Sequence, residues 1–193
     1  MSMKFNDHYP AVLKEIEETL GEIDETIISN FALQILDAPR IFIAGVGRTG
    51  LVMRCFAMRL MHLGIEVQIL GDITTTAVSR NDLLLIGSGS GETDSLLSLA
   101  KKANNIGVHI LLFSIDPDSS IGKLAQECLK IPAPSPKLTH KHEMTSIQPM
   151  GSLFEQSLLL TLDCLAGLIM HNKEMDSETF FCIMQTWNET VSI

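Results

Sequence analysis

Asp82-Leu83-Leu84-Leu85-Ile86-Gly87-Ser88-Gly89-Ser90-Gly91-Glu92-Thr93 reads as a strand that runs into a loop alternating glycine with hydroxyl residues. Leu83 to Ile86 is apolar throughout rather than alternating, which is the pattern of a strand buried on both faces. The glycines end the strand, and helical spacing resumes after Thr93. Strand, glycine loop and helix start together open a parallel α/β unit.

Working outward, the same pattern recurs on both sides. Short apolar runs near Ile41 to Ala44, Val67 to Leu70, Val108 to Phe113 and Cys128 to Ile131 alternate with longer amphipathic stretches. Helical crossovers between doubly buried strands mean a parallel sheet, so the predicted class is a three-layer α-β-α sandwich. Upstream lie two helical patterns: Pro10 to about Leu20, with proline at the helix start, and Asp24 to about Leu36, with Asp24 as N-cap and Pro39 as terminator. Downstream, a polar, proline-rich loop from Pro132 to about Ser146 is long enough for a lid, an interface arm or a disordered segment. Helices from Gly151 to His171 and from Ser177 to Trp187 close the chain. The expected organisation is one domain over 1–193: N-terminal helices over 1–37, an α/β core over 40–131, a loop over 132–147 and C-terminal helices over 148–193.

Composition bounds the function. The 193 residues carry 14 Lys+Arg against 23 Asp+Glu, a net charge of −9, which argues against nucleic-acid or anionic-membrane partners. At this length folding buries roughly 70% of the unfolded surface, enough for a core without disulfides or a metal. The hydrophobic fraction is 46%, yet the most apolar run, Leu158 to Met170, is interrupted by Asp163 and falls short of the roughly 18 residues of a membrane span. The N-terminus MSMKFNDHYP lacks the pattern of a secretory signal, so a cytoplasmic protein is expected. Cys55, Cys128, Cys164 and Cys182 form no CxxC pair and read as reduced core residues, as Met53, Met58 and Met61 read as core packing.

Two loops compete to define the ligand. Gly45-Val46-Gly47-Arg48-Thr49-Gly50 follows a strand, opens a helix and fits GxGxxG, and Asp72 lies at the end of the next strand, where a dinucleotide-binding fold needs an acid. The physics is more general, because glycines and a helix N-terminus suit any phosphate. The second loop is more informative. Ser88, Ser90 and Thr93 add three hydroxyls to its backbone amides, enough to wrap a compact phosphate on several sides. In a doubly wound sheet of order 2-1-3-4-5, strands 1 and 3 are neighbours and both loops face one crevice at the switch point. Tight turns with hydroxyl N-caps are the alternative reading of either loop alone.

These motifs, with Phe56 to Gly64 (FAMRLMHLG) and Gln148 to Gln156 (QPMGSLFEQ), resemble the sugar isomerase (SIS) domain family, and within it the 6-phospho-3-hexuloisomerases, over nearly the whole chain. The resemblance implies a five-stranded parallel sheet, flavodoxin-like in its order, and a homotetramer with active sites at subunit interfaces. It also implies interconversion of D-arabino-3-hexulose 6-phosphate with fructose 6-phosphate, with no cofactor and no metal. That chemistry moves a proton between C2 and C3 through an enediolate. One partly desolvated carboxylate can carry it, with amides, hydroxyls and a helix N-terminus holding the oxyanion.

By resemblance Glu155 matches the proton acceptor, against the alternative of a surface glutamate near a positive helix end. Ser88, Ser90 and Thr93 match the phosphate binders, and Gly47, Gly89, Gly91, Glu92 and Gln148 complete the implied substrate-binding set. Thr49 matches a sugar-contacting hydroxyl, and Arg48 adds charge to the pocket or is a solvated helix-start arginine. His62 is either an acid for ring opening or carbonyl polarisation, or a histidine stabilised by a negative helix C-terminus. His140-Lys141-His142-Glu143 is too sparse for a metal site and reads as solvated loop.

Hexuloisomerases that this chain resembles end in His-Ala-Asn-Leu-Glu, whereas here no histidine follows His171. That departure leaves a second function class open, a non-catalytic phosphosugar-binding regulatory module. A nucleotide-dependent dehydrogenase built on the first loop is a third, against which Arg48 and the serine-rich second loop count.

Overall fold

The computed structural model describes residues 4–135 and 145–175. Among these residues the chain forms helices α1 (Phe5–Gly21), α2 (Glu25–Asp37), α3 (Gly47–His62), α4 (Asp94–Ile106) and α5 (Ser152–Asn172). The strands are β1 (Ile41–Gly45), β2 (Val67–Ile69), β3 (Leu83–Gly87), β4 (His109–Ser114) and β5 (Glu127–Lys130). They make one parallel sheet of order β2-β1-β3-β4-β5. This is the predicted three-layer α/β sandwich, with its topological switch between β1 and β3.

The doubly apolar strands feed two cores. Ile41, Ile43, Leu83, Leu85, Leu111 and Phe113 face one cluster with residues of α1, α2, α3 and α5. Their neighbours Phe42, Ala44, Leu84, Ile86, Ile110 and Leu112 face the other, against α4. Alternation along each strand divides the side chains between the two layers. Each fully buried Leu, Ile or Phe among them contributes about 1.5–3 kcal/mol relative to exposure.

α5 explains the apolar C-terminal run. Its 21 residues reach a mean hydropathy of 1.5 over an 18-residue window, so by length and composition it could cross a membrane, Asp163 notwithstanding. Leu153, Phe154, Leu158, Leu162, Leu165 and Ile169 are instead buried in the core.

Several expectations are corrected. α1 begins at Phe5, a turn before Pro10, which lies inside the helix. Asp24 does cap α2, accepting from the amides of Thr26 and Ile27. Cys55 and Cys164 are exposed free thiols rather than core residues, while Cys128 is half-buried, and burial pushes its thiol up to about 12. Met53 is buried, but Met58 and Met61 are exposed. The reason is helical phase: α3 turns Met53, Phe56, Ala57 and Leu60 inward, which leaves Leu51, Cys55, Met58 and His62 along one outer stripe. The expected helix from Ser177 to Trp187, Cys182, the histidine-free tail and the His140 to Glu143 cluster lie outside the described residues. Of the predicted loop, Pro132 and Ala133 are buried rather than solvated.

Candidate functional site

The two glycine loops start side by side. Gly45, the last residue of β1, pairs in register with Gly87, the last residue of β3. From that point the chain turns into α3 on one side and toward α4 on the other. Their ends, with the first turn of α5, line a cleft of about 400 Å³. Its walls include Gly47, Arg48, Thr49, Ser88, Gly89, Ser90 and Thr93, faced by Gly151, Phe154 and Glu155.

The backbone prepares this cleft for negative charge. Neither α3, α4 nor α5 has its N-terminus capped by a side chain, so the free amides of three first turns belong to the neighbourhood of one cavity. Within the first loop the glycines divide their work. A Cβ on Gly50 would lie 2.7 Å from the carbonyl oxygen of Gly45, so these two serve strand-helix packing, whereas Gly47, at φ +63°, makes the turn beside the cleft. This accounts for the GxGxxG spacing without a dinucleotide. The acid such a ligand needs is engaged elsewhere, because Asp72 accepts from Arg54 at 2.7 and 3.4 Å.

The second loop is braced from below. Ser88 N–H donates to Phe113 O at 3.0 Å, and Ile115 and Ile121 donate to the carbonyls of Gly89 and Gly91 at 3.0 and 3.1 Å. Gly91 sits at φ +62° against Ser119, where a Cβ would collide with the serine side chain. Ser90 Oγ accepts from Glu92 N–H at 3.3 Å. Ser88 Oγ is buried and has no hydrogen-bond partner among the described residues. An orphaned buried hydroxyl costs about 1–3 kcal/mol, a cost that a phosphate oxygen at the cleft would remove.

Glu155 lies in the first turns of α5, 18% exposed, with its side chain running back toward Gly151. Arg48 Nη1 donates to Glu155 Oε2 at 3.0 Å and to Ser152 Oγ at 3.0 Å. Among the cleft-lining residues these two are the charged ones, so the cavity holds one base and one cation. No group of three metal-ligating side chains occurs among the described residues.

Thus Gly47, Arg48, Thr49, Ser88, Gly89, Ser90, Thr93 and Glu155 come together as expected from the sequence. Four others do not line the cleft. Gly91 packs on Ser119 beneath the loop, and Glu92 Oε1 accepts from Ser120 N–H at 2.8 Å on the outer side. Gln148 is buried, and its side-chain amide donates to Glu15 Oε2 at 3.1 Å. His62 is at the opposite end of α3, about 20 Å along the helix axis from Thr49. Burial and then the neighbouring Arg59 lower its pKa, which disfavours the cation that a helix C-terminus would hold. The sequence reading did not reach Ile115, Ser135 or Met150 in the lining. Ser135 falls in the loop expected from Pro132 to Ser146 and Met150 just before Gly151 at the predicted helix start, whereas Ile115 carried no signal.

A doubly wound sheet with two glycine turns meeting at its switch point defines the class: an α/β protein whose ligand crevice is walled by helix N-termini. A family model for the SIS domain matches residues 34–160. The chain is 42% identical over 179 residues to the 3-hexulose-6-phosphate isomerase of Bacillus subtilis, covering 93% of this chain and 96% of that one. It is 40% identical over 167 residues to the protein of the same name from Mycobacterium gastri, covering 86% and 83% respectively. A crystal structure of a hypothetical protein from Methanococcus jannaschii, reported as inferring a 3-hexulose-6-phosphate isomerase, matches with TM-score 0.77 at 32% identity, over 91% of this chain and 96% of that one. The chain belongs to the SIS domain family.

Proposed function

We propose that this protein is a phosphoketose isomerase interconverting D-arabino-3-hexulose 6-phosphate and fructose 6-phosphate. The observation that carries the reading is a single cleft in which Ser88, Ser90 and Thr93 stand on one side and Glu155 on the other. The hydroxyl loop and its amides take the phosphate, and Ser88 gains the partner it lacks among the described residues. Glu155 removes the proton from C2 of the 3-hexulose, the electron pair forms the C2–C3 enediol double bond, and the C3 carbonyl becomes the oxyanion. The hydroxyl proton passes from O2 to the oxyanion on C3, and the same carboxyl returns its own proton to C3 as the carbonyl forms at C2. Arg48, Thr49 and the first-turn amides of α3 supply donors for that oxyanion.

His62 enters this scheme only from a neighbouring copy of the chain. The outer stripe of α3, Leu51, Cys55, Met58 and His62, is partly apolar and supports a self-association surface that would carry the imidazole to another copy's cleft. A homotetramer with sites at subunit interfaces is the assembly we assign. Exposed free thiols at Cys55 and Cys164 fit a reducing cytoplasm.

Mixing the purified protein with D-arabino-3-hexulose 6-phosphate and following fructose 6-phosphate by a coupled assay tests the activity. Formation of fructose 6-phosphate at an enzymatic rate is expected; saturable binding without conversion would instead make the protein a phosphosugar-binding module.

A further inference from the structure

One carboxylate gathers three consecutive residues. Glu15, half-buried on α1, accepts from Ser146 Oγ at 2.7 Å, from Ile147 N–H at 2.8 Å and from the side-chain amide of Gln148 at 3.1 Å. Ser146 Oγ in turn accepts from Gln148 N–H at 3.0 Å, which closes the turn on itself. Two residues later Met150 adopts φ +55°, a left-handed conformation that an unbranched, non-glycine residue holds only when its surroundings impose it. Gly151 follows as the residue before α5, and its carbonyl accepts from Glu155 N–H at 3.0 Å. Met150, Gly151 and Glu155 all line the cleft.

We propose that Glu15 is a positioning residue: by clamping Ser146, Ile147 and Gln148 it fixes the strap that ends in the Met150 turn, and so sets where α5 presents Glu155. This rests on the isomerase reading for its catalytic consequence, and on the strap's hydrogen bonds alone for its structural one. Among the described residues the hydrogen bonds to Glu15 come from the strap and none from the phosphate loop, so the clamp acts on the base and not on the anchor. A carboxylate is the side chain this turn requires, since it meets three donors and offers none. Glutamine at the same place has equal length but turns one of its two acceptor positions into a donor facing donors.

The test compares wild type, Glu15→Gln and Glu15→Ala, with Glu18→Gln as control because Glu18 is exposed on the same helix and pairs with Lys14. Two readouts are taken: kcat and KM for isomerisation, and hydrogen-deuterium exchange of the segment 145–156. Both Glu15 variants are expected to lower kcat by about 10-fold or more while KM stays within about threefold, since misplacing a reacting group by about 1 Å costs up to 100-fold. Exchange at Ile147 and in the first turn of α5 rises in the same variants and stays put in Glu18→Gln. Unchanged kcat in an active enzyme overturns the catalytic consequence, as does a loss that merely tracks the fraction unfolded. Unchanged exchange at 146–155 overturns the clamp itself. A wild-type protein that does not isomerise refutes the isomerase reading instead, and the exchange result still judges the clamp.

Discussion

Arg48 and Glu155 meet across the cleft, guanidinium nitrogen to carboxylate oxygen at 3.0 Å, each carried on the first turns of a different helix. α3 leaves the sheet at β1, whereas α5 arrives from the far end of the sequence. The pair therefore ties the base to the frame that holds the phosphate loop, and the same Arg48 nitrogen reaches Ser152 Oγ. Arg48 is half exposed, so the contact adds little to folding, in the range of about 0–1 kcal/mol for such pairs. Its value is orientation. Arg48→Ala is expected to reduce kcat/KM by about 10-fold or more with Tm nearly unchanged, and Arg48→Lys to recover only part, because the ammonium lies one bond nearer the backbone than the guanidinium Nη1 that reaches both oxygens. Steady-state kinetics alongside thermal melts check this; a fall in Tm that parallels the lost activity would make the pair structural.

Ser88 separates binding from folding. Its buried hydroxyl has no partner within the described residues, so Ser88→Ala removes an unsatisfied group and should leave stability equal or slightly raised. Turnover should suffer in KM, by about 10-fold or more, since a hydrogen bond to a charged phosphate oxygen is worth about 1.5–3 kcal/mol. Calorimetry of the free protein and a substrate titration together decide it. A destabilised variant with unchanged KM would place the hydroxyl in the fold rather than the ligand site.

Gly50→Ala should do the reverse. The added Cβ would stand 2.7 Å from Gly45 O, backbone against backbone, where no side chain can swing aside. A loss of about 1–3 kcal/mol in urea unfolding is expected, in keeping with other overpacked sites.

How the sequence read the fold and how it read the site differ for a physical reason. Local pattern was enough for the sheet, because Leu83 to Ile86 and its counterparts are apolar on both faces and only a covered parallel sheet accommodates such runs. It was also enough for the pocket's core, since Gly47 to Thr49, Ser88 to Ser90 and Thr93 sit where strands end. It failed where a residue's partner is distant in sequence. Gln148 looked like a ligand contact, but its amide is taken by Glu15, 133 positions away. Glu92 is likewise turned to Ser120, 28 positions on. His62 was placed by its motif, while helix length alone separates it from the cleft of its own chain. Cys55 and Met58 looked like core residues by composition, and the phase of α3 turned them outward.

Acid stability is governed in part by a pair at the opposite end of the sheet. Burial raises the Asp82 carboxyl, but two hydrogen bonds from Arg40, at 2.9 and 2.8 Å, and those from the Ser79 amide and hydroxyl outweigh it and hold its pKa below the usual value. A carboxylate with a depressed folded pKa stabilises fully above its unfolded value of about 3.9, and that contribution is lost as pH falls through the folded value. Unfolding midpoints measured from pH 6 down to pH 2 should therefore drop below about pH 4. The drop should be shallower in Asp82→Asn, which should also start from a lower midpoint at pH 6. Identical slopes for the two proteins would remove Asp82 from the account.

The most direct measurement is solvent exchange into fructose 6-phosphate in D2O, followed by NMR, with wild type and Glu155→Gln side by side. Proton removal at C3 by Glu155 predicts deuterium at C3 with the wild-type protein, and a rate lower by about 100-fold or more with the variant. Deuterium at C1, no incorporation at all, or full exchange surviving in Glu155→Gln would contradict it.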